Sequence, residues 1–375
     1  MTATEINCRL CRQPLAKTDA VLIGPFPKAA QYYPQPSEFT DDKGIVLQVV
    51  ECPDCGLTQL LNEPVDYYKQ VITAASLSPV VCEQRLTLFR QLRASFSRQP
   101  AAIEIGCASG ENLPLLREAG FVASGIEYAL SPDPGIVPEG VTNRYILDLA
   151  PETHGKYDLL ISFNYLEHQP DTRSFLKKCH ALLSDNGQML LTVPNLDFLL
   201  ASQSAHEFVA DHLVYFTADS LTAALNLTGF SLNDIRIINN QYDIQVIATK
   251  RKRGAIASSK SALETLVTRF NEKLRALTSQ GKKVAVWGAG HRTLALLSLS
   301  EYQLLECIID SAKFKHYQFA PISHLRILPP ETLLDSQCGI DVILVMVPGI
   351  YPKEVIKKIQ SLPVHYDAEQ FPPEG

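Results

Sequence analysis

The chain has no apolar run long enough to cross a bilayer, no excess of basic residues, no short-period repeat and no low-complexity tract. Each absence excludes something. A spanning helix needs about 20 apolar residues in a row, so no membrane partner is expected. Residues Met1 to Arg12 lack the apolar stretch of a secretory signal. A soluble protein of the cytoplasm is therefore the default expectation. A net charge of −6 argues against a nucleic-acid partner, whose binding surface usually carries a basic footprint. Nor is there an interleaved aromatic and basic stripe for stacking single strands, which disfavours an RNA-directed zinc-ribbon enzyme. What is present is 375 residues, 46% apolar and 20% charged, enough for large packed cores in two or three domains. Nine cysteines in a reducing compartment point to metal ligation or buried thiols, not to disulfides.

Three segments follow from the pattern. Residues 1–75 hold both CxxC pairs, and Pro25, Pro27, Pro34 and Pro36 leave little room for long helices. Residues 76–250 alternate helix and strand. Helical spacing over 80–96 puts Leu86, Phe89, Leu92 and Phe96 on one face. Strands are expected at 102–105, 122–126, 144–147, 157–163 and 188–193, with helices at 112–119, 172–183 and 220–228 between and after them. Residues 230–238 and 243–249 read as a closing antiparallel pair. Such alternation implies a mainly parallel sheet flanked by helices. The basic run Lys250-Arg251-Lys252-Arg253-Gly254 reads as a solvated linker, with a nucleic-acid contact as the other reading. Residues 251–375 then repeat the logic: an amphipathic helix at 261–278, a strand entering Gly288-Ala289-Gly290, and further strands at 305–309 and 342–347.

Cys8-Arg9-Leu10-Cys11 and Cys52-Pro53-Asp54-Cys55 can each turn two thiolates onto one ion. Four thiolates complete a closed tetrahedral zinc site with no open position, hence a structural one. Its role would be to fold a lobe with little core of its own. A redox pair or unrelated buried thiols are the competing readings. Cys82, Cys107, Cys179, Cys307 and Cys338 lack partners at ligand spacing and read as small buried hydrophobes.

The stretch Ala101-Ala102-Ile103-Glu104-Ile105-Gly106-Cys107-Ala108-Ser109-Gly110-Glu111-Asn112 runs from an apolar strand through an acid and a glycine turn into a helix. Gly106 and Gly110 allow a sharp turn and close approach to a ligand. The helix from Asn112 points its first amides at the same corner. A carboxylate there suits a cationic ligand better than a pyrophosphate.

This stretch resembles motif I of class I S-adenosylmethionine (SAM) methyltransferases, E/D-x-G-x-x-x-G, and does not match the dinucleotide fingerprint. Later elements agree in order. Glu127, closing the second strand, implies an acceptor for the ribose hydroxyls, and Asp148 an acid near the adenine amine. Asp158 to Phe163, then Asn164-Tyr165-Leu166-Glu167-His168, resembles motif IV. Leu183 to Asn195 resembles the family's L-x-x-x-G-x-L-x-x-x-x-P ending. The resemblance implies SAM contacts at Glu104, Gly106, Cys107, Gly110, Glu127, Asp148 and Asn164, with Cys107 offering backbone only. The residue-level alternatives are a strand-end polar group for Glu127 and a helix cap for Asp148.

The whole arrangement resembles the three-domain, zinc-containing sugar C-methyltransferases, which act on nucleotide-linked ketodeoxysugars. The implied fold is α/β: a class I SAM methyltransferase Rossmann-like core, an N-terminal zinc-binding lobe and a C-terminal second Rossmann-like domain that binds substrate. The family's Y-H-E-H-x-x-Y-F motif has a counterpart in Val209-Ala210-Asp211-His212-Leu213-Val214-Tyr215-Phe216. The resemblance then implies catalytic roles for His212 as base, Asp211 as its partner, His168 as a substrate or enolate contact, and Tyr215. The family's tyrosine and first histidine are Val209 and Ala210 here. Tyr67 or Tyr68 stands for the family's first-segment tyrosine, while Ile72 to Ser76 fits the family poorly. Gly288, Gly290, His291 and Arg292 stand where the family binds the sugar nucleotide. The family's lysine after that turn is missing, and so is its second glycine pattern, with Lys315-His316-Tyr317-Gln318-Phe319 in its place.

Methylating a carbon beside a ketone needs a base for the α-proton and donors for the enolate. A histidine suits the base role. Plain loop or surface histidines are the other reading of His212 and His168. An O- or N-methyltransferase on another sugar or small metabolite uses the same scaffold with less help from a base. A non-catalytic SAM-binding scaffold is a third expectation.

Overall fold

Residues 6–60 are too short a segment to bury much apolar surface alone, and they use partners from elsewhere in the chain. A computed structural model describes residues 6–70, 76–128, 139–150, 152, 156–252, 254 and 256–373. β1 (Ile6–Asn7) pairs with β2 (Pro14–Leu15). β3 (Val21–Phe26), β4 (Ile45–Glu51) and β5 (Thr58–Leu60) form an antiparallel sheet, and its fourth strand comes from Val214–Tyr215, which is β11 in chain order. Cys8, Leu10, Cys52 and Leu57 lie in the same apolar cluster as Phe175, Leu176, Val214 and Leu221. The cysteine segment and the large sheet thus belong to one compact unit, Met1–Lys252, and Arg253–Gly375 forms a second. Residues 71–75, where the first boundary was expected, lie outside the described residues.

α1 (Pro79–Arg93) begins where Ser78 accepts a hydrogen bond from the Val81 amide at 3.3 Å and Pro79 presets the first turn. It buries Phe89 and Leu92. β6 (Ala101–Ile105), α2 (Asn112–Glu118), β7 (Val122–Glu127), β8 (Val141–Asn143), β9 (Tyr157–Phe163), α3 (Thr172–Leu182), β10 (Leu183–Pro194), α4 (Leu196–Ala201), α5 (Ala218–Thr228), β12 (Phe230–Ile238) and β13 (Asp243–Lys250) follow. The sheet order is β12-β13-β10-β9-β6-β7-β8. Its five strands from β10 to β8 are parallel, and β13 inserts antiparallel beside β10. The strand order reverses at β6 and β9, where the carboxyl ends of neighbouring strands leave a crevice.

One expected strand is displaced. Residues 144–147 were read as the third strand, but the strand is β8, with Val141, Thr142 and Asn143 paired to Gly125, Ile126 and Glu127. The more apolar stretch after it turns inward. Tyr145 and Ile146 are buried, and Ile146–Asp148 is a 3-10 turn.

The second unit opens with α6 (Ile256–Thr278), which buries Phe270 and Leu274. β14 (Val284–Trp287), α7 (His291–Leu297), β15 (Leu305–Ile309), β16 (Ile327–Leu328), β17 (Val342–Val345), α8 (Tyr351–Gln360) and β18 (Asp367–Gln370) complete it. Its sheet, β16-β15-β14-β17-β18, is parallel throughout. Among the described residues no helix is long and apolar enough to cross a membrane.

Candidate functional site

The corner after β6 is built by its backbone. Gly106 has φ 71°, and a Cβ there would lie 2.7 Å from Cγ of the Tyr165 ring. The amides of Gly106 and Cys107 both donate to Ile126 O, at 3.0 and 3.1 Å, fastening the turn to β7. Ala108 N donates to Glu127 Oε2 at 2.9 Å, and Tyr128 N donates to Glu127 Oε1 at 3.0 Å. Gly110 N closes the turn on Cys107 O at 2.7 Å. The Cys107 thiol packs against β7, close enough to Gly125 that a Cβ there would meet it at 2.5 Å. Cys107 thus offers backbone to the turn.

Glu104 projects from β6 and is 2% exposed. Its Oε1 accepts from Asn112 Nδ2 at 2.6 Å, while Oε2 has no partner. Burial pushes its carboxyl up to about 7. Asn112 Oδ1 in turn accepts from Arg85 Nη1 at 2.6 Å, and the Arg85 guanidinium lies 4.3 Å from the Phe163 ring centroid. Arg85 was not foreseen, because helical periodicity alone gives no reason to single out a polar residue of α1.

Tyrosines add a second unforeseen feature. The Lys69 ammonium lies over the rings of Tyr145, Tyr128 and Tyr68, at 4.9, 5.0 and 5.7 Å. Tyr128 follows Glu127 directly, and that adjacency was the available signal. Tyr68 belongs to this cage, whereas Tyr67 points to another partner. Asp148 is exposed at the end of its 3-10 turn. Asn164, at φ 45°, accepts from Thr192 Oγ1 at 2.5 Å and donates to Asp243 Oδ1 at 2.9 Å. It lines a 990 Å³ cavity together with Arg85, Phe163, Thr192, Arg236 and Asp243.

The histidine loop is pinned at several points. Leu213 N donates to Glu167 O at 2.8 Å, and Leu60 N donates to Leu213 O at 2.9 Å. The Tyr215 hydroxyl accepts from Val209 N at 2.9 Å and donates to Val209 O at 3.2 Å, so this residue clamps the loop. The rings of His168 and His212 meet edge to face, with centroids 4.7 Å apart. Burial, reinforced by His168, pulls His212 down to about 3. Burial also lowers His168, partly opposed by its contact with the Asp211 carbonyl.

The Asp211 carboxylate does not reach the His212 ring. Its Oδ1 accepts the Tyr67 hydroxyl at 2.5 Å and its Oδ2 accepts the Ala30 amide at 2.8 Å. These partners come from the cysteine-bearing segment, and their hydrogen bonds engage both oxygens of a carboxylate that is only 3% exposed. Asp211 meets the histidine pair through its backbone instead, with Asp211 O 2.9 Å from His168 Nδ1. Burial and the Asp211 hydrogen bond push the Tyr67 hydroxyl up to about 12, so it remains a donor at neutral pH.

The four cysteine sulfurs lie within 4.8 Å of one another. Cys8 and Cys55 stand 3.6 Å apart, and Cys11 and Cys52 3.5 Å. Sulfurs bound tetrahedrally at about 2.3 Å would stand roughly 3.8 Å apart, far from a disulfide.

The second unit repeats the corner's logic. Gly288 has φ 111°, and Ala289 N donates to Asp310 Oδ2 at 2.6 Å, as Ala108 does to Glu127. Lys315 Nζ donates to Asp310 Oδ2 at 3.2 Å and to Ala289 O at 3.0 Å. Gly288, Gly290, His291 and Arg292 line a 170 Å³ hollow with Met346 and Pro348.

The corner residues fit SAM. A buried acid with an unpartnered oxygen suits the cationic amino end, and the glycine turn leaves room that a side chain would fill. Residues 81–234 match the family described as "Methyltransferase domain". Curated relatives include the ubiquinone biosynthesis O-methyltransferases of Pseudomonas aeruginosa strain LESB58, 28% identical over 107 residues, and of Pseudomonas paraeruginosa strain DSM 24068 / PA7, 27% identical over 107. Each alignment takes 25% of this chain and 44% of the relative, so the chain spans under half the length of the curated relatives it matches. Among solved structures, the 1,6-didemethyltoxoflavin-N1-methyltransferase of Burkholderia thailandensis is 17% identical, covering 54% of this chain and 99% of its own, with a TM-score of 0.36. The magnesium protoporphyrin IX methyltransferase of Synechocystis PCC 6803 is 15% identical, covering 48% and 90%, with a TM-score of 0.36. Fold, corner and family match define the class: the chain carries a class I SAM-dependent methyltransferase domain. Residues 254–363 match the family described as "C-methyltransferase C-terminal domain".

Proposed function

We propose that the chain transfers the SAM methyl group to a carbon of a nucleotide-linked ketodeoxysugar, through an enolate. The observation that carries this reading is the C-methyltransferase C-terminal domain that follows the methyltransferase domain. SAM, when bound, supplies a methyl group made electrophilic by its sulfonium. Glu104 and the Gly106–Gly110 turn would hold its amino-acid end, Glu127 its ribose, and Asp148 and Asn164 its outer contacts.

On the acceptor side His212 takes the α-proton. Burial keeps its imidazole neutral at pH 7 and so able to accept. An enolate forming beside it would stabilise the imidazolium that results. His168 contacts the acceptor oxygen, while Tyr67 borders the acceptor with its hydroxyl proton given to Asp211. Asp211 and Tyr215 act as positioning residues, through Tyr67 and through the loop clamp. The turn at Gly288–Gly290 with His291 and Arg292 would hold the nucleotide part. In the first segment Cys8, Cys11, Cys52 and Cys55 would hold a structural zinc ion. The functional parts are then a zinc lobe over 1–75, a methyltransferase domain over 76–250 and a substrate-binding domain over 251–375, acting together in the cytoplasm on a small molecule.

The test is incubation with methyl-labelled SAM and nucleotide-linked 4- and 3-ketodeoxysugars, followed by NMR of the product. A methyl bonded to carbon is expected. A methyl bonded to oxygen would favour the second reading, an O-methyltransferase. That reading is supported by the O-methyltransferase relatives and by Val209 and Ala210 in the loop.

A further inference from the structure

We propose that Glu167, His168 and His212 form a binding site for a divalent first-row transition-metal ion, held by one carboxylate and two imidazoles. One donor atom from each residue lies within 4.8 Å of the other two. Small side-chain adjustments close that spacing to the shell of an ion whose nitrogen and oxygen ligands stand at about 2.0–2.2 Å.

Three further observations point to a ligand. Glu167 is 1% exposed, and its Oε2 has no hydrogen-bond partner. A buried carboxylate oxygen left in that condition is costly unless a charge or a metal meets it. His168 Nδ1 stands 2.9 Å from Asp211 O. A carbonyl oxygen only accepts, so the hydrogen sits on Nδ1 and Nε2 keeps its lone pair. Metal-bound histidines make this same outer contact, which fixes tautomer and ring orientation. Finally, the two segments that supply the donors are fastened together before any ion arrives. Leu213 N donates to Glu167 O at 2.8 Å, and the Tyr215 hydroxyl clamps the loop at Val209.

Imidazole and carboxylate together suit Zn²⁺, Mn²⁺ or Fe²⁺, whereas Mg²⁺ and Ca²⁺ prefer all-oxygen shells. This site also differs from the cysteine cluster, which offers four sulfurs. Three protein ligands leave a position open. The inference rests on the reading that the histidine pair forms the acceptor side of the site. A carbonyl or hydroxyl oxygen of the acceptor would donate a lone pair to the open position, and the ion would draw charge from it. While the ion is bound, His212 gives its one basic lone pair to the ion, so ion binding competes with its proton-accepting role and the ion-loaded form holds the acceptor without deprotonating it.

The test uses the full chain with its cysteine cluster already loaded with zinc. Co²⁺ is added, and the ions per chain and the visible spectrum are recorded. The expected result is a further ion per chain, with ligand-field bands and no thiolate-to-cobalt charge transfer. Glu167→Gln and His212→Ala should each weaken its uptake at least tenfold while far-ultraviolet circular dichroism stays unchanged. Glu167→Gln keeps shape and removes charge, so it guards against loss of fold in the alanine variant. No further ion in the wild type overturns the proposal, as does a further ion that both variants retain. Methyl transfer by protein that takes up no further ion would remove this inference and leave the proposed function standing. Ion uptake by a chain whose ion-free form transfers no methyl would do the reverse.

Discussion

The Asp211 carboxylate accepts the Tyr67 hydroxyl at 2.5 Å, joining the cysteine-bearing segment to the loop that carries His212. The same carboxylate takes the Ala30 amide at 2.8 Å. Removing it leaves two donors without their buried partner. Asp211→Ala should therefore cost about 1–3 kcal/mol of stability, read in urea unfolding. In a double-mutant cycle with Tyr67→Phe, the coupling should be about 0.5–3 kcal/mol. Additive effects would mean that the hydrogen bond does not hold the loop.

Glu104 should make SAM binding depend on pH. Its folded-state pKa is raised by burial from 4.5 to about 7. A cationic ligand needs the ionised form, so affinity should rise with pH up to tenfold per unit below about 7, then level off. Stability without ligand moves the other way. For an acid whose folded pKa lies above its unfolded value, the favourable contribution is complete below about 4.5 and is lost as pH rises through about 7. Glu104→Gln should flatten both profiles, measured by calorimetric titration and by melts across pH.

Gly106→Ala should damage the cofactor corner more than the fold. The positive φ costs about 1–2 kcal/mol for a residue with a side chain, and the new methyl would press on Tyr165 at 2.7 Å. Displacement of that ring moves the turn that meets the ligand. A loss of SAM affinity of tenfold or more is expected, with a melting temperature lowered by a few degrees.

Cys52→Ser, or removal of zinc by a strong chelator, should destabilise the first unit selectively. Cys8 and Cys52 share an apolar cluster with Phe175, Val214 and Leu221, so an ion held by the four sulfurs would brace that cluster. Scanning calorimetry should show the transition of residues 1–252 fall while that of residues 253–375 stays in place. A zinc content that is unchanged by Cys52→Ser would remove the metal assignment.

The parallel sheet was legible because its strands are continuous apolar runs. Tyr157–Phe163 and Leu305–Ile309 begin and end where the sequence pattern places them. The third strand was missed because Val141–Asn143 is short and half polar, while the apolar stretch after it packs inward as a turn. At the cofactor corner Glu104, Gly106 and Glu127 could be found by their order along the chain. Arg85, Lys69 and Tyr145 could not, since they meet the corner through folding between distant segments. The side-chain partners of Asp211 were hidden for the same reason. Its neighbour in sequence is His212, but its hydrogen-bond partners are Tyr67 and Ala30, on a segment that only the tertiary fold brings close.

The most direct test of the account is calorimetric titration of the full chain with SAM, beside Glu127→Ala. Saturable binding of one SAM per chain is expected, weakened at least tenfold in the variant. No saturable binding, or binding that Glu127→Ala leaves unchanged, would contradict it.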